Sequence, residues 1–153
     1  MADIRILEKY RQLSDDCISA DGPFNELAEF YCFCAHFAFI KGGKVPNVKV
    51  SAKDRQIRDL VLNNHHYKEQ IDILALAVTK DHTILIESDE AIKKRYEIFQ
   101  NYVNFGIKLF EKEKKPNVTD VYGMDTVLEI LRKQATINKK IEPESTIDVD
   151  VEF

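Results

Sequence analysis

Six cations fall between Lys41 and Arg58 (Lys41, Lys44, Lys49, Lys53, Arg55 and Arg58), and Asp54 is the one acid among them. A loop and element start of this composition can bind backbone phosphates through its cations, with Ser51 and main-chain amides assisting, in a salt-dependent and sequence-independent way. Without a reading helix or a stacking motif beside it, the same patch also reads as a solvated basic face or as a surface for an acidic protein. Gly42-Gly43-Lys44 is too short for a phosphate-cradling P-loop, which needs a longer glycine-bracketed turn ending in Lys-Ser/Thr.

Other groupings carry less chemistry. His65 and Glu69 stand four apart, on one face of a helix, but a metal site needs a third and fourth ligand. His36, Asp81, His82 and Glu87 supply them only if folding gathers these residues. Asp81, Glu87, Asp89 and Glu90, with Lys80, Lys93 and Lys94 nearby, would suit a metal-dependent nuclease, yet acids that open a helix are expected from its dipole alone. Cys32, Cys34 and His36 share the most apolar segment, where a thiolate is disfavoured, so the three cysteines, Cys17 included, read as buried free thiols. No complete catalytic site, no metal site and no cofactor motif can be assigned.

The elements that must position these residues follow from the apolar spacing. Residues 2–14, with Ile4, Leu7 and Leu13, read as a short N-terminal helix. Phe24–Ile40 is apolar nearly all round, as in a helix surrounded by other elements, with Gly42-Gly43 as its stop. Ser51 to Asp54 resembles a capping box ahead of Ile57, Leu60 and Val61, so a third helix is expected there. Ile71, Leu74, Ala75 and Val78 form a further amphipathic face, and Thr83–Ile86 is strand or helix end. Ser88 caps a long helix over 89–114 with Ile92, Tyr96, Phe99, Val103, Ile107 and Phe110 inward. Gly106 interrupts it, either for close contact with another backbone or as a tolerated defect. A last helix is expected over 124–138. The whole is mainly α: one compact domain of about five or six helices over 1–140 and an acidic, strand-like tail over 141–153.

That tail holds five acids and no base, leaving 22 bases against 21 acids in the body. A strongly basic nucleic-acid coat is therefore absent and only local patches remain. Ile147, Val149, Val151 and Phe153 alternate with acids, a strand pattern that could dock on this domain, pair with a copy of itself or extend a partner's sheet edge; a disordered acidic tail is the alternative. The longest uncharged run, Phe30 to Ile40, is well short of the roughly 20 residues a membrane-spanning helix needs. With no charged-then-apolar leader, a cytoplasmic protein is expected.

The run Phe24-Asn-Glu-Leu-Ala-Glu-Phe-Tyr-Cys-Phe-Cys-Ala-His-Phe-Ala-Phe-Ile-Lys-Gly-Gly-Lys-Val-Pro46, with Tyr102-Val-Asn-Phe-Gly-Ile-Lys-Leu109, resembles small proteins associated with bacterial Dnd systems. In those, an apolar helix ends in a Gly-rich turn and a Pro, and a second helix carries an aromatic–small–Gly–Ile segment. The resemblance covers about residues 20–110. Dnd systems place sulfur in the DNA backbone (phosphorothioation) and use that mark in defence. The resemblance thus implies an accessory subunit in antiphage or restriction–modification machinery, and no catalytic residue. The partners it implies are proteins of the same system, with the DNA backbone and further copies of the chain left open. An oligomeric protein-binding adaptor without DNA contact is the second reading, and a metal-dependent nuclease the third.

Overall fold

The computed structural model of the chain describes residues 4–58 and 64–145, of which 65 and 140–145 as backbone alone. In chain order the elements are β1 (Ile4–Ile6), a 3-10 turn (Glu8–Tyr10), α1 (Arg11–Cys17), α2 (Leu27–Lys41), β2 (Arg55–Ile57), α3 (His65–Thr79), a second 3-10 turn (His82–Leu85), α4 (Asp89–Lys114) and α5 (Met124–Ser145). The fold is mainly α, as its apolar spacing requires.

Two expected helix starts are corrected. Ile4 and Ile6 are spaced by two and both are buried, so residues 4–6 form a strand, and helix begins only at Arg11. Where a third helix was expected to begin, Ser51 to Asp54 is a turn and Arg55–Ile57 pairs antiparallel with β1, Ile4 opposite Ile57 and Ile6 opposite Arg55, while Leu60 and Val61 of that expected helix lie outside the described residues. A two-stranded ribbon is marginal alone. Here α4 completes it: Gln100 Oε1 accepts from Arg5 N at 2.8 Å, Asn104 Oδ1 from Leu7 N at 3.0 Å, and Asn104 Nδ2 donates to the Arg5 carbonyl at 3.1 Å. Two side-chain amides one turn apart thereby stand in for a third strand and satisfy β1's outer edge.

The core lies between α2 and α4. Phe30, Tyr31, Cys34, Ala35 and Ala38 of α2 meet Phe99, Val103, Ile107 and Phe110 of α4, all buried, and α3 adds Ile71, Leu74 and Ala75. Phe30 and Phe33 both meet the Phe110 ring edge-on, at 5.5 and 6.3 Å between centroids. The two helix backbones touch where Gly106 faces Cys34: a Cβ at Gly106 would overlap the Cys34 carbonyl. Of the two readings of this glycine, close backbone contact is the one realised. All three cysteines are free and buried, and burial pushes the Cys17 and Cys32 thiols up to about 12.

α5 runs to Ser145, past the residue 138 expected from its apolar pattern, so helix enters the segment read as tail. Ile147, Val149, Val151 and Phe153, and with them the strand pattern, lie outside the described residues. Asp120 caps α5 from the preceding turn. Its Oδ2 accepts from Thr126 Oγ1 (2.6 Å) and Thr126 N (2.8 Å), and its Oδ1 from Asp125 N (3.3 Å), in place of Gly123, which has no side chain and sits at a φ of 83°. Burial opposes the charge on Asp120, but these hydrogen bonds outweigh it and hold the carboxyl below its usual range. A carboxyl lowered on folding adds stability that is complete above its unfolded value, near 3.9, and is lost as pH falls through the folded value. Asp120→Ala should therefore cost about 1–2 kcal/mol at pH 7, with the gap from wild type closing in urea titrations run at progressively lower pH.

Candidate nucleic-acid interface

The basic segment is one connection from α2 to β2, leaving the helix through two glycines in left-handed backbone, Gly42 at φ 72° and Gly43 at φ 90°. That conformation favours glycine. Midway the loop is fastened to α4: Asn101 Oδ1 accepts from Val48 N at 2.9 Å and Asn101 Nδ2 donates to Asn47 Oδ1 at 3.0 Å. At its far end Asp54 accepts from Ser51 N (2.8 Å) and Glu8 N (2.9 Å), and these amides hold its carboxyl below the usual range. Its carbonyl accepts from Arg5 Nη1 at 3.1 Å. A segment without regular structure is thus tied down at several points.

The cations divide by what they touch. Arg55 is mostly buried, and its Nη1 lies 2.8 Å from Asp15 Oδ1. Burial opposes its charge, yet the hydrogen bond to Asp15 and the neighbouring Tyr31 hydroxyl raise its pKa. Tyr31 Oη is fully buried and, among the described residues, has no hydrogen bond of good geometry, with Ser14 and Arg55 as its polar neighbours. Lys41, itself exposed, lies 3.8 Å from Glu113 and has its ammonium 5.6 Å from the centroid of the buried Phe37 ring. Lys44, Lys49, Lys53 and Arg58 are exposed, and no carboxylate pairs with any of them among the described residues. Arg55 and Lys41 therefore close the two ends of the connection, and four cations between and beyond them face water.

The carboxylate grouping has a different occupation. Asp81 Oδ1 accepts from Thr83 N (3.0 Å) and Thr83 Oγ1 (2.8 Å), capping the second 3-10 turn. Ser88 Oγ accepts from Ala91 N at 3.2 Å, and Asp89 and Glu90 occupy the first turn of α4. Glu87 lies 3.4 Å from the guanidinium of Arg95. Among the described residues no three His, Cys, Asp or Glu side chains are placed to hold a metal. His36 Nδ1 is 2.7 Å from the Cys32 carbonyl one turn earlier, as expected of a helix histidine satisfied within its own helix. His66 is exposed beside Tyr67, and His82 is exposed in the second 3-10 turn.

Arg95 is the residue that the sequence reading passed over. Its side chain is 2% exposed; Nε lies 3.0 Å from Asp72 of α3, and Nη1 donates to the carbonyls of Ile84 (2.8 Å) and Ile86 (3.2 Å). One guanidinium so binds α3, α4 and the connection between them. The signal was in the spacing: Arg95 is three after Ile92 and four before Phe99, and so belongs to the inward stripe.

No helix among the described residues is long and apolar enough to cross a membrane. Neither a curated protein nor a solved structure matches the chain. The sequence profile of one family, described as DNA sulphur modification system-associated protein 4, matches residues 4–149, from β1 beyond the end of α5 and well past the 20–110 that carried the resemblance. With nearly its whole length matched, the chain belongs to the family of DNA sulphur modification system-associated protein 4.

Proposed function

We propose that the chain is a non-enzymatic accessory subunit of a cytoplasmic DNA sulphur-modification system, partnered by other proteins of that system, and that it contacts DNA backbone phosphates through Lys44, Lys49, Lys53 and Arg58. The observation that carries this reading is the pairing pattern of the α2–β2 connection. Its two end cations have carboxylate partners, whereas Lys44, Lys49 and Lys53 on the loop and Arg58 just past β2 are exposed without one among the described residues, and the loop is fastened to α4 and β1. Unpaired cations on an anchored loop attract a polyanion at little ordering cost, because the backbone is already held. Such contacts position a protein on DNA without reading sequence. Family membership supplies the context, since the system acts on the DNA backbone.

Of the carboxylates behind the nuclease reading, Asp81 caps the second 3-10 turn and Glu87 pairs with Arg95, while Asp89 and Glu90 open α4, and among the described residues no three of them are placed to hold a metal. Changing Lys44, Lys49, Lys53 and Arg58 together to Gln should weaken binding to a fluorescent duplex at low salt by tenfold or more, followed by anisotropy. All four are exposed, so the circular dichroism spectrum should stay unchanged. Equal affinity of the variant and the wild type would refute the assignment.

A further inference from the structure

Among the described residues, the apolar side chains of α5 that meet the body of the protein lie along one edge. Val127 is buried and Ile130 and Gln134 are half-buried, while Met124, Leu128 and Leu131 are 40%, 40% and 51% exposed and Ala135 is exposed with them. At about 100° per residue, Met124, Leu128, Leu131 and Ala135 fall within about 60° of arc. Their spacing of four, three and four is that of a coiled-coil seam. Just before the helix, Val118, Val121 and Tyr122 are exposed too, at 88%, 53% and 38%. A stripe of exposed apolar side chains along one helix face, with further exposed apolar residues close before it in the chain, has the character of an interaction surface.

The charges beside the seam say what covers it. One flank is taken by the body of the protein. The other carries Asp125, Arg132 and Lys139, an acid in the first half of the helix and bases in the second, while Glu129 turns back to accept from Asn117 Nδ2 at 3.3 Å. A parallel neighbour of the same sequence would set acid against acid and base against base. An antiparallel one sets each acidic half against a basic half and opposes the two helix dipoles favourably. When Met124 faces Ala135 of the second copy and Leu128 faces Leu131, the flanking positions bring Asp125 of each helix against Arg132 of the other. Every contact then occurs twice about one two-fold axis, as a closed dimer requires.

We infer that α5 is a homodimerisation surface in which two copies pack antiparallel along Met124, Leu128, Leu131 and Ala135, locked by reciprocal Asp125–Arg132 pairs. This surface is independent of the α2–β2 connection. Dimerisation would present two copies of that connection to one polyanion, which raises avidity without any new contact.

Sedimentation equilibrium of the full chain tests it. The mass should rise with concentration from 17.7 kDa towards twice that value. Leu131→Asp should leave only the monomer, with the helical circular dichroism signal retained. Asp125→Arg and Arg132→Asp should each raise the dimer dissociation constant about tenfold or more. The double variant, which exchanges the two charges, should return it to within about threefold of wild type. A single-chain mass up to about 100 μM, a dimer indifferent to Leu131→Asp, or a double variant as weak as the single ones would each overturn the inference. The first of these would assign the stripe to a different protein.

Discussion

Gly106→Ala should lower the stability of this protein by about 3 kcal/mol or more, although helix propensity alone favours alanine by about 1 kcal/mol. The two effects have opposite signs, so the experiment decides between them. Gly106 lies inside α4, opposite the Cys34 carbonyl of α2, and the added methyl would occupy space that this backbone fills. A backbone carbonyl within a helix cannot swing aside as a side-chain tip can. Relief requires the two central helices to separate, and that loosens the contacts of Phe30, Phe99, Val103 and Ile107 together. Urea unfolding followed by circular dichroism should show a lower midpoint with an unchanged slope. A gain in stability would mean that α2 and α4 do not meet at this position.

Arg95→Met should cost a similar amount, about 3 kcal/mol. The side chain keeps much of its volume but loses its charge, leaving the Ile84 and Ile86 carbonyls without their donor and Asp72 without its cation. Asp72 is 28% exposed, and solvent moderates its share, so the cost should fall at the lower end of that for a broken buried pair. Burial already raises the Asp72 pKa, and the neighbouring Arg95 opposes that rise. Removing the guanidinium should push the carboxyl higher still. A carboxyl raised on folding favours the native state at low pH and loses that contribution as pH rises through the folded value. The deficit of Arg95→Met in urea titrations should accordingly be smaller at acid pH than at neutral pH. A deficit that does not vary with pH would show that Asp72 is not the group left uncompensated.

Much of the architecture is written in local patterns. The long helix starts after Ser88 and spans Asp89–Lys114 as its four-and-three spacing prescribes, because cap, first-turn acids and apolar stripe all agree. The all-round apolar segment is the central helix for a like reason: from Ala28 to Ala38 most of its side chains are buried, and only its last turn, with Phe39 and Ile40, is exposed. The ribbon was illegible because its pairing is non-local. Three residues at each end, Ile4–Ile6 and Arg55–Ile57, are too few for periodicity to separate strand from helix, and what fixes them is the amide pair Gln100 and Asn104, far away in sequence. The helix start expected at Ser51 failed on a related ambiguity. The serine and Asp54 do bond each other as in a capping box, but Asp54 also takes the amide of Glu8, which turns the chain into β2 instead.

The basic segment could be located from composition, whereas the division among its cations could not. Nothing near Arg55 in the sequence identifies Asp15 as its partner, and nothing near Lys41 identifies Glu113. Both partners arrive through packing, α1 against β2 and the end of α4 against the end of α2. The role of Asn101 was hidden likewise, since an asparagine on a long helix looks like a solvated position until a loop is seen to hang from it.

The salt dependence of duplex binding tests the central claim most directly. If Lys44, Lys49, Lys53 and Arg58 each displace one counterion, the logarithm of the association constant should fall against the logarithm of salt concentration with a slope of roughly −3 to −4 per chain, at about −0.9 per phosphate neutralised. Each single change to Gln should make that slope shallower by about one unit, with no dependence on duplex sequence. A slope near zero, or one that the four substitutions leave unchanged, would contradict phosphate contact through these four residues.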